Sequence, residues 1–343
     1  MVEAGPADET SLDERLSRPT EGVVEVLRQL PGDLLVLGAG GKMGPSLARM
    51  ARRALDALGR TDRVIAVSRF GDRGTRQALD AAGVVTLPAD LLDPQSVAGL
   101  PEAPNLVFMA GQKFGTAAAP HVTWAMNALV PALVAQRFPA ARTVVFSTGN
   151  VYPLTPVASG GPVETDPVGP VGEYAMSCLA RERLFEHAAS TRGTPVAILR
   201  LNYAIDLRYG VLLDTARRVH GGEPVPLRMG HVNVIWQGDA NARALQALAL
   251  TASPATVLNL TGPELVSIRW LAERFAEHFG RPARFEGAEA PDALLSNAAR
   301  VTARFGPPAV TLETMIAWTA AWVAQGGRQL GKPTRFEVRD GQF

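Results

Sequence analysis

Apolar runs and helically spaced apolar residues alternate along most of this chain. Leu34-Leu35-Val36-Leu37 is four apolar residues in a row, the pattern of a strand buried on both faces. It runs into Gly38-Ala39-Gly40-Gly41-Lys42-Met43-Gly44. Behind that cluster Pro45 suits a first helical turn, and Leu47, Met50, Ala51, Ala54 and Leu58 recur at helical spacing. Further strands read at 63–69, 84–87, 106–109, 143–146, 195–201 and 257–260. Helical spacing falls between or after them around 122–136, from Tyr174, at 211–220, at 240–250 with Asp239 as its cap, from Ser267, and at 312–323. Strands alternating with helices imply an α/β fold with a doubly wound parallel sheet.

The ends and loops are read from composition. Residues 1–19 are polar and expected to fray. Thr20 can cap a short helix carrying Val23, Val24, Leu27 and Leu30, which Pro31-Gly32 ends. The stretch 153–172 is rich in Pro and Gly and reads as a surface loop of the kind that carries binding groups. The tail from Gly326 reads as an extended wrap.

The glycine cluster adds chemistry to this pattern. Strand, glycine turn and amphipathic helix form the first half of a dinucleotide-binding βαβ unit. Gly38 allows the tight turn, Gly41 lets the backbone approach a pyrophosphate, and Gly44 lets the helix pack on the strand. The phosphates then lie on helix-start amides around Lys42 and Met43, where the helix dipole favours negative charge. Gly40 also permits a G-x-G reading of the same turn. At the end of the second strand stand Ser68 and Arg69, with Arg73 nearby and no carboxylate to repel a 2′-phosphate. The charge balance there favours NADP over NAD.

Composition narrows the class. A net charge of +1 gives no reason to expect a nucleic acid or an anionic membrane surface as partner. The one cysteine, Cys178, excludes an internal disulfide and a cysteine zinc cluster, and no metal site is expected. The charged N-terminal stretch does not read as a signal peptide, and no apolar run is long enough for a membrane span, so the expected location is the cytoplasm. Lys42, Lys113 and Lys332 are the only lysines among 34 basic residues, so a missing lysine can reflect drift to arginine except where ammonium chemistry is required.

The spacing Gly38-x-x-Gly41-x-x-Gly44 resembles that of the extended short-chain dehydrogenase/reductases, the NAD-dependent epimerase/dehydratase group. Other segments continue the resemblance over about residues 33–325. Ala89-Asp90-Leu91-Leu92-Asp93 is similar to the family's G-D-L-x-D run, which implies that Asp90 and Leu91 contact the adenine end of the cofactor. Ala110-Gly111-Gln112-Lys113 is similar to its A-G-L-K run, with Met109 in place of the common histidine. There the backbone lies along the dinucleotide and Lys113 faces cofactor or substrate phosphates. Asn127 stands in the place of a family asparagine. In Phe146-Ser147-Thr148-Gly149-Asn150-Val151-Tyr152 the resemblance makes Thr148 the catalytic hydroxyl. Asn202 and Tyr203, after the "L-R" ending at Arg200, stand where the family covers the nicotinamide and substrate.

Tyr174 then occupies the position of the family's catalytic tyrosine, but its Y-x-x-x-K pattern is broken. Cys178 stands where the catalytic lysine belongs. An isolated phenol titrates near about 10, and a lysine one turn on would lower that value. Arg181 or Lys113 could supply the missing charge from elsewhere. Two readings follow from the resemblance. One is an NADP-dependent epimerase, dehydratase or reductase acting on a hydroxyl or keto group of a sugar-like small molecule. The other is a catalytically impaired dinucleotide-binding sensor or scaffold. The resemblance also implies a homodimer, paired through helices near 120–137 and 174–190.

The expected organisation is an arm and helix at 1–32 and a Rossmann-type domain at 33–205, to which 236–260 returns. A smaller, interleaved substrate lobe and tail takes up 206–235 and 261–343.

Overall fold

The computed structural model describes residues 4–115, 118–331 and 334–342. Residues 1–3 of the arm, and Lys332, Pro333 and Phe343 of the tail, lie outside that range.

Seven parallel strands build the central sheet: β1 (Leu34–Leu37), β2 (Val64–Ser68), β3 (Val85–Pro88), β4 (Asn105–Phe108), β5 (Arg142–Thr148), β6 (Val196–Leu201) and β7 (Thr256–Leu260). Their order across the sheet is β7-β6-β5-β4-β1-β2-β3. β1 is buried along its whole length, and its alternating side chains enter two different cores. Leu34 and Val36 join α2 (Glu21–Gln29), α3 (Gly44–Ala57) and α10 (Gln237–Gln246) on one face. Leu35 and Leu37 join α5 (Pro94–Ala98), α7 (Val130–Arg137) and α8 (Gly172–Arg192) on the other. This is the α/β doubly wound arrangement that the strand and helix pattern implied. β3, at the sheet edge, leaves Val85 exposed.

A second core lies outside the sheet. It gathers α9 (Val211–Gly221), α11 (Ile268–Phe279) and α13 (Leu312–Ala324) around Leu212, Val219, Leu271, Phe275, Ile316 and Trp322.

The reading of residues 1–19 as frayed is corrected here. Glu9–Leu16 forms helix α1, opened by a reciprocal capping box between Asp8 and Ser11. Its only apolar pair, Leu12 and Leu16, is fully buried in the second core, and Glu14 ties it to Arg53 of α3. The mostly polar surface of α1 hid a two-residue anchor. Thr20 caps α2 as expected. Asp239 is not an N-cap: α10 starts two residues earlier, and the Asp239 carboxylate accepts from the Val310 amide at 3.0 Å. The 122–136 helix is interrupted by a π-turn over Ala125–Leu129, between α6 (Pro120–Trp124) and α7.

Candidate active site

The sheet order reverses between β1 and β4, so the chain leaves these neighbouring strands in opposite directions and opens a crevice at their carboxyl ends. Leu37 pairs with both Val67 and Phe108, which sets the turns after β1 and β4 side by side. Gly38 takes φ +89, and a Cβ there would lie 2.5 Å from the Ala110 nitrogen. At Gly44 a Cβ would lie 2.4 Å from the Ala39 carbonyl oxygen, so the helix start is pressed onto the turn. Gly41 differs: the nearest atom to its absent Cβ is 3.4 Å away, and the residue borders a cavity of about 570 Å³. The space beside Gly41 is left open by the protein.

Of the residues singled out in the sequence, the cavity wall unites Gly38, Gly41, Lys42, Met43, Gly44, Gly111, Lys113, Thr148, Tyr174 and Asn202. Others lie behind or beside it. Ala110 is buried against Gly38, and Leu91 belongs to the core under the sheet. Ser68 packs its hydroxyl beside Gly40, while Arg69 is exposed at the end of β2. Asp90 is exposed after β3 and accepts from the Leu92 amide at 3.1 Å.

Asn127 is fully buried in the π-turn and does not line the cavity. Its Oδ1 accepts from the Gln112 amide at 2.9 Å, and its Nδ2 donates to the Gln112 carbonyl at 2.9 Å and to Ser177 Oγ at 3.0 Å. It therefore holds the loop that carries Lys113. Arg181 reaches the same oxygen at 2.7 Å and the Phe146 carbonyl at 2.7 Å.

Tyr174 sits in the first turn of α8, half-buried, and borders the cavity together with Thr148 at the end of β5, which acts to lower its phenol. Thr148 Oγ1 donates to Asn150 Oδ1 at 3.0 Å, which fixes its rotamer. Burial pushes the Tyr174 phenol well above its ordinary value. Neighbouring Cys178 adds to that rise, while the charge of Arg181 and the Thr148 hydroxyl act against it. Cys178 itself is fully buried with Val151 and Tyr152, and burial raises its thiol too. Cys178, in the place of the family's lysine, is thus a packed thiol that does not border the cavity.

Lys113 extends from the loop after β4 to within 5.8 Å of the Tyr174 ring centre. Burial lowers its ammonium to about 8, against opposing pulls from Cys178 and Glu337. Lys42 crosses from the glycine turn to the second core, its Nζ 2.9 Å from the Tyr209 ring centre and 5.3 Å from that of Phe114.

Below the site a buried chain of bonds fixes the ends of β5 and β6. Ser147 donates to Glu182, Glu182 pairs with Arg200 at 2.8 Å, and Arg200 donates to the Tyr152 hydroxyl at 2.7 Å.

Sequence reasoning did not single out Gln112, Gln237 or Thr334 for the wall. Thr334 comes from the tail, whose amide and hydroxyl bind Asp214 of α9, and no local pattern marks it. Tyr203 had been placed near the nicotinamide by resemblance. It adopts φ +42, a backbone conformation side chains rarely take and one that concentrates at binding sites.

A seven-stranded parallel sheet with a glycine turn at its switch point is a Rossmann-type architecture. The sequence profile of the NAD dependent epimerase/dehydratase family matches residues 34–229, more than half of the chain. The protein belongs to that family. A search of curated proteins finds no match in sequence. Solved structures match closely in fold. MoeE5 in complex with UDP-glucose and NAD aligns at TM-score 0.67 and 23% identity, over 86% of this chain and 99% of the other. The Thermus thermophilus UDP-glucose 4-epimerase complex with NAD gives 0.68 and 21%, over 84% and 98%. DesIV, a dTDP-glucose 4,6-dehydratase from Streptomyces venezuelae with NAD bound, gives 0.71 and 20%, over 85% and 97%. Among the described residues no helix is long and apolar enough to cross a membrane.

Proposed function

We propose that the protein binds NADP(H) and uses it to oxidise or reduce a hydroxyl- or keto-bearing carbon of a sugar-like small molecule. That hydride step is shared by epimerisation, dehydration and simple reduction. The observation that carries the reading is that Tyr174 and Thr148 line the same cavity as the glycine turn. The residues fit a dinucleotide: the cradle at Gly41 is open, and the first turn of α3 starts at its rim. The relatives of known structure carry NAD. Arg69, exposed at the end of β2, favours the 2′-phosphate. Asp72, three residues further on, is engaged as the cap of α4 (Arg73–Ala81).

When bound, the nicotinamide supplies or accepts the hydride. Gly38, Gly41 and Gly44 would keep the turn low enough for the diphosphate, and Lys42 and Met43, at the start of α3, would hold it. Thr148 anchors the substrate oxygen by hydrogen bonding. Tyr174 gives that oxygen a proton during reduction or takes it during oxidation, and Asn202 and Tyr203 close the wall opposite. Replacing Tyr174→Phe tests this reading. Turnover should fall by about 10²- to 10⁴-fold with NADPH affinity retained. Unchanged turnover would remove the assignment.

The raised phenol and thiol favour a second reading, a dinucleotide-binding sensor or scaffold without hydride chemistry. Cys178→Lys separates the two, since absence of turnover both before and after the substitution supports the sensor. We also read the protein as a homodimer. Leu129 and Met176 stand 50% and 45% exposed on the helical surface formed by the π-turn and α8, an apolar face suited to a second copy.

A further inference from the structure

Thirty-one of the 34 basic residues are arginine, leaving three lysines, and both lysines among the described residues line this one cavity. An ammonium differs from a guanidinium in being compact and titratable, so its retention there points to a site where a guanidinium does not serve. Lys42 is engaged with Tyr209 and Phe114. Lys113 is the lysine beside Tyr174.

The anchoring of Lys113 is specific. Asn127 takes both the amide and the carbonyl of Gln112, so the backbone immediately before Lys113 is held from inside the fold. From that fixed point Nζ reaches 5.8 Å from the Tyr174 ring centre. On α8 the fourth residue after Tyr174 is the small, buried Cys178, which leaves the space beside the tyrosine to a side chain from another element. Arg181 already lowers the phenol from the same helix, with two of its nitrogens committed to Phe146 and Asn127, so Lys113 adds a second charge from another element.

We propose that Lys113, reaching across the cavity from the loop after β4, provides the positive charge beside Tyr174 that the family's helix lysine would provide from position 178. The inference rests on the functional reading above. Lys113 is a positioning residue that acts through the phenol of Tyr174. At neutral pH its ammonium, lowered only to about 8, remains charged and favours the phenolate electrostatically. The groups facing it are Tyr174, Cys178 and Arg181 of α8, Glu337 of the tail, and Lys42, which shares the Phe114 ring with it. Cys178 and Glu337 both act to keep Lys113 charged, against its burial.

The test reads Tyr174 directly and requires no knowledge of the substrate. Tyrosinate absorbance is titrated in the NADP⁺ complex, with Tyr174→Phe subtracted to isolate its signal. The wild-type Tyr174 midpoint is the reference, and the charge of Lys113 is read as the change from it. Lys113→Met should raise it by about one to two pH units, and Lys113→Arg should raise it by less than half of that. Lys113→Met/Cys178→Lys should bring the midpoint back toward the wild-type value. The Lys113 variants, whose side chain ends at the cavity, also provide the answer if the double variant does not fold. The same midpoint in wild type and Lys113→Met, or a lower one in Lys113→Met, overturns the proposal. Failure of the wild type to bind NADP⁺ at all overturns the functional reading first. Normal binding with an unmoved Tyr174 overturns the role of Lys113 alone.

Discussion

Cys178 lies one helical turn from Tyr174 on α8, in the place of the family's lysine, and adds to the rise of the phenol. Where a lysine would have stabilised a phenolate, this partner is neutral and raises the phenol instead. The proton chemistry of the site therefore depends on charges carried by other elements. Arg181 and Thr148 pull the phenol down, and burial outweighs them.

Two glycines of the turn, Gly41 and Gly44, should separate binding from folding. Gly44→Ala places a Cβ 2.4 Å from backbone oxygen and should destabilise the protein by about 1–3 kcal/mol in urea unfolding. Gly41→Ala meets nothing closer than 3.4 Å and should leave stability within about 1 kcal/mol. It should nevertheless weaken NADPH binding at least about tenfold by standing where the diphosphate approaches. Titration calorimetry and urea melts on the same samples read both effects.

Arg69 should decide between the two dinucleotides. Arg69→Ala removes the exposed cation at the end of β2 and should weaken NADPH binding by about tenfold or more, the worth of one charge-assisted hydrogen bond. NADH binding should change little. Equal losses for both cofactors would show that Arg69 does not meet the 2′-phosphate.

Glu182 and Arg200 form an ion pair with exposures of 0% and 4%, joined to Ser147 and Tyr152. Removing one partner leaves the other charge buried, so Glu182→Gln should cost about 3–5 kcal/mol in urea unfolding. Because the pair underlies the end of β5, turnover by the surviving folded protein should also fall.

Lys113 gives a pH signature in the ligand-free protein. Its folded value of about 8 lies below the unfolded value of 10.5, so between those limits the unfolded chain holds more protons than the folded one. Stability attributable to this group therefore increases as pH rises from about 8 toward 10.5. Urea midpoints of the wild type should gain on those of Lys113→Met across that window and run parallel below it. Parallel curves throughout would mean that the ammonium is not desolvated.

How much of this was legible in the sequence depended on how local each signal was. Gly38, Gly41, Gly44, Thr148 and Tyr174 stand in short segments whose spacing alone implies a turn or a helix face, and the structure gathers them around one cavity. The α/β fold was legible for the same reason, since each sheet strand is a compact apolar run. The partnership of Lys113 with Tyr174 was not fixed by spacing, because it joins a loop to a distant helix and depends on the Asn127 clamp. Asn127 was identified by position, but its work is inside the fold. Thr334 and Glu337 arrive from a tail with no motif at all. Helix α1 was missed because two leucines in a charged segment look like a solvated end until a second core receives them, although the Asp8–Ser11 box was a readable start signal.

The measurement that reaches the centre of these conclusions is calorimetric titration of the purified wild-type chain with NADPH and with NADH. One NADPH per chain, held more tightly than NADH and lost in Gly41→Ala, is the result that an open glycine cradle beside Arg69 requires. Absence of binding by either dinucleotide, from protein whose unfolding shows it to be intact, would contradict it.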